Sequence, residues 1–295
     1  MDFLYWLASV RSGPLDWVFR FFTFFGEELV VTVVLCALLW CVDKRIAYRI
    51  GVAFFASGMA VQTLKITFRT ERPWVLDPAF TPVKGALETA TGYSFPSGHT
   101  QSAAALYGTL GLSVRQKWAK CVLFCLIPLV ALSRMYLGVH TPADVVVSIL
   151  ITAFITVLIY FLLKKYDSKI VLPVLLLILS IASAVYAFCV LFSGLVPYSE
   201  ASDCFKGAGA GTGFAIGYFI ERRYINYNEK AGSLFVKILK LAIGLAVTVA
   251  LKEGLKMLLG AGPAADMTRY TIIIVWVTAI YPAILSKTKR KEISE

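Results

Sequence analysis

The chain contains two histidines, and each lies in a stretch whose residue types could take part in phosphate-ester chemistry. His99 closes the segment 95–99, of sequence FPSGH, just before an apolar run. His140 precedes Asp144 by four residues, a spacing that places both side chains on one face of a helix. A carboxylate in that position can hold the proton of one imidazole nitrogen and leave the other nitrogen free to attack. The pair predicts a nucleophilic histidine that an aspartate orients.

Fixed cations occur near both histidines and could hold phosphoryl oxygens. Lys65, Arg72 and Arg134 offer an ammonium group and two guanidinium forks, which suit the oxygens of a phosphate. Ser97 and the Gly98 amide stand at a predicted helix start, where backbone N–H groups favour an anion. The sequence shows no acidic cluster suited to magnesium or calcium. The cations are therefore expected to take the place of a metal, and no metal or other cofactor is predicted.

Membrane-spanning helices must position these residues, because the composition is that of a polytopic membrane protein. The chain has 295 residues, of which 58% are apolar and 16% charged. Its mean hydropathy is +0.74. Ordinary soluble domains are about 45–50% apolar and about 25% charged. The composition argues against a soluble enzyme, a disordered chain and a disulfide-rich mini-domain.

Apolar runs recur along the chain and predict an all-α fold. Residues 1–26 are aromatic-rich but interrupted by charges, glycine and proline, so this segment is predicted to form interfacial or re-entrant helices. Nine runs after it are predicted to span the bilayer: 28–42, 47–66, 100–113, 119–135, 143–163, 170–192, 208–221, 236–258 and 269–286.

The distribution of charge predicts the topology. Basic residues outnumber acidic ones by 29 to 18, and the excess lies in clusters on every second loop. The positive-inside rule places these loops in the cytoplasm, so the excess does not require a nucleic-acid partner. Loops 67–99, 134–142, 193–207 and 259–268 then face outside, which puts both histidines at one extracytoplasmic depth. The clusters are Lys44/Arg45/Arg49, Arg115/Lys117/Lys120, Lys164/Lys165/Lys169, Arg222/Arg223/Lys230 and Lys287/Lys289/Arg290/Lys291.

Three segments together resemble the signature of the type 2 phosphatidic acid phosphatase superfamily. They are Lys65-x6-Arg72-Pro73, Pro96-Ser97-Gly98-His99 and Ser133-Arg134-x5-His140-x3-Asp144. The resemblance implies that His140 attacks phosphorus and forms a phosphohistidine, while Asp144 orients it. It implies that His99 protonates the leaving oxygen and then activates water. The remaining implied roles are contacts to the phosphoryl oxygens, from Lys65, Arg72, Ser97, the Gly98 amide and Arg134.

The resemblance also implies a domain organisation. A six-helix phosphatase core is expected over 27–192, after the N-terminal segment 1–26. Residues 193–295 exceed that core and are expected to add about three transmembrane helices. With these added helices and the glycine-rich segment 207–217, the chain resembles the longer sphingosine-phosphate phosphatase branch.

Three further features each have two interpretations. Ser133 could contact phosphate or only satisfy backbone and orient a neighbour. Lys252 and Lys256 could attract a substrate headgroup or extend to the membrane interface. Glycines 209, 213 and 217 form a ladder of small residues that predicts helix packing, either within the chain or between two chains of a homodimer.

The predicted function is metal-independent hydrolysis of a lipid phosphate monoester, such as a sphingoid base phosphate or phosphatidate, at the outer membrane interface. Lipid phosphates and membrane lipids are the expected partners. Undecaprenyl pyrophosphate and phosphatidylglycerol phosphate are alternative substrates. A lipid phosphotransferase, or a non-catalytic protein that binds or transports lipid, is the alternative from another functional class.

Overall fold

The computed structural model describes residues 1–165 and 170–292, and within them every regular element is a helix. Short π-helical turns extend three of the helices, over Leu38–Val42, Glu221–Ile225 and Trp276–Ile280. The helices are α1 (Asp2–Ser9), α2 (Gly13–Phe24), α3 (Glu28–Ala37), α4 (Lys44–Phe68), α5 (Pro73–Leu76), α6 (Gly98–Ser113), α7 (Lys117–Tyr136), α8 (Pro142–Lys165), α9 (Val171–Phe192), α10 (Tyr198–Ile220), α11 (Leu234–Leu259), α12 (Pro263–Val275) and α13 (Tyr281–Glu292).

The described residues include six helical segments that are long and apolar enough to cross a membrane. A seventh results if α2 and α3, which meet at a bend of 45°, form one broken span. The prediction of an all-α polytopic membrane protein is confirmed. The six segments are Lys44–Leu76, Lys117–Tyr136, Pro142–Leu162, Val171–Phe192, Leu234–Leu259 and Pro263–Lys287.

Two of the nine predicted runs form helices, α6 and α10, that belong neither to these six segments nor to the broken span. Helix α6 has 16 residues, and most of them are small or polar and buried. Helix α10 lies against α4, α9 and α12. A helix surrounded by other helices does not face lipid, so it needs no continuous apolar surface.

Helix α10 begins at Tyr198, well ahead of the predicted run 208–221. The prediction of an outer loop through 207 is therefore wrong for residues 198–207. The error arose because the charges of this segment indicated a loop. In the structure Asp203 and Lys206 are one helical turn apart and form an ion pair at 2.8 Å, so helix geometry accommodates the charges.

Glycines allow α10 to lie directly against α12 of the same chain. A Cβ atom at Gly209 would lie 2.4 Å from the carbonyl oxygen of Met267. One at Gly217 would lie 1.7 Å from Oγ1 of Thr278. Because both separations are far shorter than van der Waals contact, only glycine permits this approach. The predicted ladder, which includes Gly213, is a packing surface within the chain.

We expect Gly209→Leu to lower the stability of the purified protein by about 1–3 kcal/mol, the usual cost of overpacking a filled interior. The new side chain would have to displace the backbone of α12. The melting temperature in detergent measures the effect. Gly254→Leu is the matched control, because a Cβ at Gly254 meets nothing within 4 Å. Equal melting temperatures for the two variants would contradict the packing role.

At the end of the bundle opposite the histidines, a buried ion pair joins α4 to the end of α10. Lys44 Nζ lies 2.8 Å from Glu221 Oε1 and donates to the Tyr227 carbonyl at 2.5 Å. The Tyr48 hydroxyl donates to the other Glu221 oxygen at 2.8 Å. Lys44 therefore belongs to the interior rather than to a solvated loop cluster. The side chains of the predicted clusters at 164–169 and 289–291 lie outside the described residues.

Helices α1 and α2 lie against α7 and the long loop between α4 and α6. Leu4 and Leu7 are buried with Phe80 of that loop. The side chain of Trp17 is 70% exposed on α2. Short helices with one buried apolar face and exposed aromatic residues suit the interface between lipid and water. The interfacial or re-entrant placement of residues 1–26 stays a prediction.

Candidate active site

The residues of the three motifs meet at one end of the helix bundle. Helices α4 and α7 end there, while α6 and α8 begin there. The long segment 69–97 covers this end and contributes α5 and a 3₁₀ turn over Leu87–Thr89. The motif residues on these elements are Lys65 near the end of α4, Gly98 and His99 at the start of α6, Arg134 near the end of α7, His140 just before α8 and Asp144 in its first turn.

The His140 ring is held between a carboxylate and a guanidinium group. Its Nδ1 lies 3.2 Å from Asp144 Oδ2, and its Nε2 lies 3.0 Å from Nη1 of Arg72. A guanidinium can only donate, so Nε2 must be the accepting nitrogen and Nδ1 must carry the proton that faces the carboxylate. His140 is 2% exposed and Asp144 is 1% exposed. The lone pair on Nε2 is therefore the group that can attack phosphorus.

A serine outside the three motifs completes this arrangement. The Ser94 hydroxyl donates to Asp144 Oδ2 at 2.5 Å, and the same oxygen accepts the backbone N–H of Thr141 at 2.8 Å. Ser94 is fully buried. No spacing or motif singles out Ser94 in the sequence, and its position in the unusually long outer loop was the only indication. Its contact fixes the carboxylate that orients His140.

Ser94→Ala is expected to lower kcat about tenfold and to leave KM nearly unchanged, because a hydrogen bond to a charged group contributes about 1.5 kcal/mol. The contacts available to phosphate stay intact. Steady-state kinetics on a lipid phosphate in detergent micelles check this result. The control is Ser113→Ala, which removes a hydroxyl that bonds its own helix at the far end of α6. A raised KM with unchanged kcat would contradict the role of Ser94 as a positioning residue.

Two cations at the site donate hydrogen bonds to backbone carbonyls of the long segment 69–97. Arg72 donates to the carbonyls of Thr91 at 2.6 Å and Gly92 at 3.0 Å. Lys65 donates to the carbonyl of Tyr93. A neutral carbonyl is a weaker partner for a cation than a phosphate oxygen is. An entering phosphate can therefore compete for these donors.

Two further site residues have buried nitrogen atoms without a hydrogen-bond partner among the described residues. Arg134 is fully buried, and its Nη1 donates to Thr23 Oγ1 at 2.9 Å and to Thr89 Oγ1 at 3.3 Å. Its Nε and Nη2 have no partner, and neither does Nε2 of His99. Buried polar atoms are nearly always paired, so these three atoms are available to bind a ligand. They mark candidate contacts for phosphoryl and leaving-group oxygens.

The other predicted residues of the motifs differ in their surroundings. A Cβ at Gly98 would meet nothing within 4 Å, which leaves room for an anion beside the start of α6. The Ser97 hydroxyl caps that helix and accepts the N–H of Thr100 at 3.4 Å. The Ser133 hydroxyl donates to the Val130 carbonyl at 2.6 Å. In this structure the Ser133 hydroxyl therefore satisfies a backbone carbonyl of its own helix. Contact between Ser97 and phosphate stays a prediction.

A cavity of about 490 Å³ lies beside these groups. This volume falls in the range of roughly 300–1,000 Å³ that is typical of small-molecule sites. Lys252 and Lys256 do not line the cavity, and both are exposed on α11. The site residues that line it are Lys65, Arg72, Gly98, His99 and His140. Apolar residues that line it include Phe54, Phe55, Met59, Ala210 and Ile274.

This arrangement suits the transfer of a phosphoryl group. An imidazole lone pair supplies a nucleophile, and a second imidazole beside the same cavity supplies a general acid. Fixed cations can stabilise the charge on the phosphoryl oxygens. In the part of the chain that the structure describes, no group of three or more His, Cys, Asp or Glu residues could hold a metal ion.

Two family models match the chain in succession. The PAP2 superfamily model matches residues 46–168, which carry all three motifs. The model described as the transmembrane extension of PAP2 superfamily phosphatases matches residues 205–292. The predicted division into a phosphatase core over 27–192 and additional helices over 193–295 stays a prediction.

Several curated proteins with similar sequences have names that describe enzymes acting on lipid phosphates. Sphingosine-1-phosphate phosphatase 1 of Rattus norvegicus is 30% identical over 55% of this chain and 38% of its own length. Sphingosine-1-phosphate phosphatase 2 of Mus musculus is 27% identical over 72% of this chain and 62% of its own. A putative undecaprenyl-diphosphatase of Escherichia coli is 27% identical over 48% of this chain and 71% of its own.

The matches cover less than two thirds of the length of the two sphingosine-1-phosphate phosphatases. No solved structure matches the chain. The two consecutive family matches, on a helix bundle that brings the three motifs to one cavity, agree with the predicted resemblance. The chain belongs to the PAP2 superfamily.

Proposed function

We propose that this protein is a membrane-bound lipid phosphate phosphatase that works through a phosphohistidine on His140. The position of the His140 ring between Arg72 and Asp144 carries the proposal. It fixes the tautomer in which Nδ1 carries the proton and Nε2 carries the lone pair, as a nucleophilic histidine requires. The family membership and the named activities of the relatives support the same chemistry.

In the proposed reaction, His140 Nε2 forms a bond to phosphorus while the bond from phosphorus to the ester oxygen breaks. His99 donates a proton to that oxygen, which leaves as the lipid alcohol. His99 then accepts a proton from water as the water oxygen attacks the phosphohistidine. The N–P bond breaks, inorganic phosphate leaves and His140 regains its lone pair. Lys65, Arg72 and Arg134 stabilise the phosphoryl oxygens throughout.

The substrate class is supported by the cavity as well as by the relatives. The cavity joins the cationic site to the apolar residues between the helices, so a lipid phosphate can place its headgroup at the site and its chain among the helices. We propose a phosphate monoester of the sphingoid base or phosphatidate type, with undecaprenyl pyrophosphate and phosphatidylglycerol phosphate as alternatives. Residues 27–192 would form the phosphatase core, and residues 193–295 would complete the cavity.

We propose that the site faces the extracytoplasmic side of the membrane. Basic residues gather at the opposite end of the bundle, around the start of α4, the connection from α6 to α7 and the end of α10. Such residues favour the cytoplasmic side. Cysteine accessibility to a membrane-impermeant reagent in intact cells tests this orientation, with a cysteine at Lys84 expected to react and one at Lys117 expected to remain protected.

Phosphate release by the purified protein in detergent tests the function. The substrate panel comprises a sphingoid base phosphate, phosphatidate, phosphatidylglycerol phosphate and undecaprenyl pyrophosphate, each measured with EDTA and with vanadate. We expect release from at least one lipid that EDTA does not reduce and that vanadate inhibits. Release only when a second alcohol is supplied would indicate a phosphotransferase. Lipid binding without release from any substrate would indicate a non-catalytic protein.

A further inference from the structure

The cavity wall contributed by α3 and α10 carries carboxylates. Glu28, in the first turn of α3, and Asp203, on α10, both line the cavity, as does Glu27. Asp203 is paired with Lys206 at 2.8 Å. Within the described residues Glu28 has no ion-pair partner. Negative charge from Glu27, Glu28 and Asp203 therefore borders the same space as the phosphate-binding cations, and Lys206 and Lys252 near Glu28 compensate it in part.

Asp203 lies close to the phosphate-binding end of this space. Thr91 connects the two: its carbonyl accepts from Arg72 Nη2 at 2.6 Å, and its hydroxyl donates to Asp203 Oδ2 at 3.4 Å. A single residue, Thr91, thus links the Asp203 carboxylate to the Arg72 guanidinium group, which contacts His140. A ligand whose anionic and cationic groups are a few bonds apart could therefore contact Arg72 with the first and Asp203 with the second.

A ligand that carries only negative charge fits this distribution poorly. Its phosphate would be attracted by Lys65 and Arg72 but repelled by the carboxylates of Glu27 and Glu28. Such repulsion is screened less in a partly enclosed space than in bulk water. An ammonium group on the ligand would replace that repulsion by charge-assisted hydrogen bonds. The charges of the cavity therefore complement a phosphate with a neighbouring amine.

The cavity wall becomes apolar with distance from the site. Along α4 the lining residues change from Lys65 and Gln62 to Met59 and Phe55 over successive turns. Along α10 the lining ends at Ala210. This gradient suits a ligand whose charged headgroup continues into an apolar chain.

We propose that Glu28 and Asp203 bind an ammonium group of the substrate, and that the substrate is a phosphate monoester of a long-chain amino alcohol. The proposal rests on the proposed function, because it concerns the same cavity. It gives the C-terminal helices a part in substrate selection, since α10 supplies Asp203. Lys206 moderates this selection, because it competes with the ammonium for the Asp203 carboxylate.

The test compares kcat/KM for two substrates that differ in charge at one nitrogen: a long-chain 2-aminoalkyl phosphate and its N-acetyl derivative. The wild-type protein should prefer the amine. Glu28→Gln and Asp203→Asn should each lower this preference about tenfold, the scale of one charge-assisted hydrogen bond. Lys206→Gln should raise the preference. An N,N-dimethyl derivative, which adds bulk but keeps the charge, should behave like the amine.

Glu253→Gln is the matched control, because Glu253 is exposed on α11 and does not line the cavity. It should leave the preference unchanged. The two carboxylate variants lie on different helices, so one still tests the proposal if the other fails to fold. Active variants with the wild-type preference would overturn the assignment of Glu28 and Asp203. No phosphate release from either substrate by wild-type protein would instead contradict the proposed function.

Discussion

His140→Ala is expected to reduce phosphate release about 10⁴-fold or more, the scale seen when the nucleophile of a covalent mechanism is removed. The other histidine cannot take over this role, because its ring lies on α6 and has no carboxylate partner at hydrogen-bond distance in the described chain. The variant should also form no phosphoenzyme. Initial rates with the best lipid of the panel give the measurement.

A folding control accompanies this experiment, because His140 is buried and contacts Arg72 and Asp144. The variant should elute from size exclusion as the wild-type protein does. It should still bind the lipid phosphate by calorimetry, since Lys65, Arg72 and Arg134 remain. Normal turnover in a folded His140→Ala protein would refute the assigned nucleophile.

The second large effect is expected for His99→Ala, which should slow turnover of a lipid phosphate about 10²–10⁴-fold, the usual contribution of general acid–base catalysis. A lipid alkoxide is a poor leaving group and needs a proton as the ester bond breaks. A nitrophenolate leaves without one. Formation of the phosphoenzyme from an aryl phosphate should therefore be far less affected than formation from a lipid.

Pre-steady-state kinetics separate the two roles of His99. With an aryl phosphate, His99→Ala should release one equivalent of nitrophenol in a burst and then turn over slowly, because no base activates the water. The wild-type protein should show a faster steady state. Equal losses with aryl and lipid substrates, without a burst, would contradict the assignment of His99 as acid and base.

The local part of the site was predictable from the sequence because helix periodicity determines it. His140 and Asp144 are four residues apart, and that spacing alone places them together at the start of α8. The depth of the motifs followed from the alternation of basic loops. The first prediction uses only neighbouring residues, and the second uses the order of basic clusters along the whole chain.

Contacts between distant segments were not predictable in this way. The bond between Arg72 and His140 joins positions 68 residues apart, and the bond from Ser94 to Asp144 joins positions 50 residues apart. Each depends on how the outer loop folds over the helix ends. Lys44 likewise appeared in the sequence as a loop cation, whereas its partner Glu221 lies on another helix. Charge patterns indicate the side of the membrane but not the partner.

The early start of α10 shows the same limit for helix boundaries. Hydropathy identified the apolar run that begins at residue 208. The polar helical turns before that residue contribute side chains to the cavity wall, so hydropathy did not identify them as part of a helix. A polar helical segment in the interior resembles a loop when only hydropathy is considered. The residues missed in this way include Asp203, on which the proposed amine selectivity depends.

The most direct test of the central claim is to locate the covalent intermediate. Purified protein in detergent would be mixed rapidly with a ³²P-labelled lipid phosphate, quenched in alkali to preserve the acid-labile N–P bond, digested and analysed by mass spectrometry. We expect phosphate on His140, alkali-stable and acid-labile, and none on the His140→Ala protein. Phosphate on another residue, or turnover with no covalent label at any quench time, would contradict it.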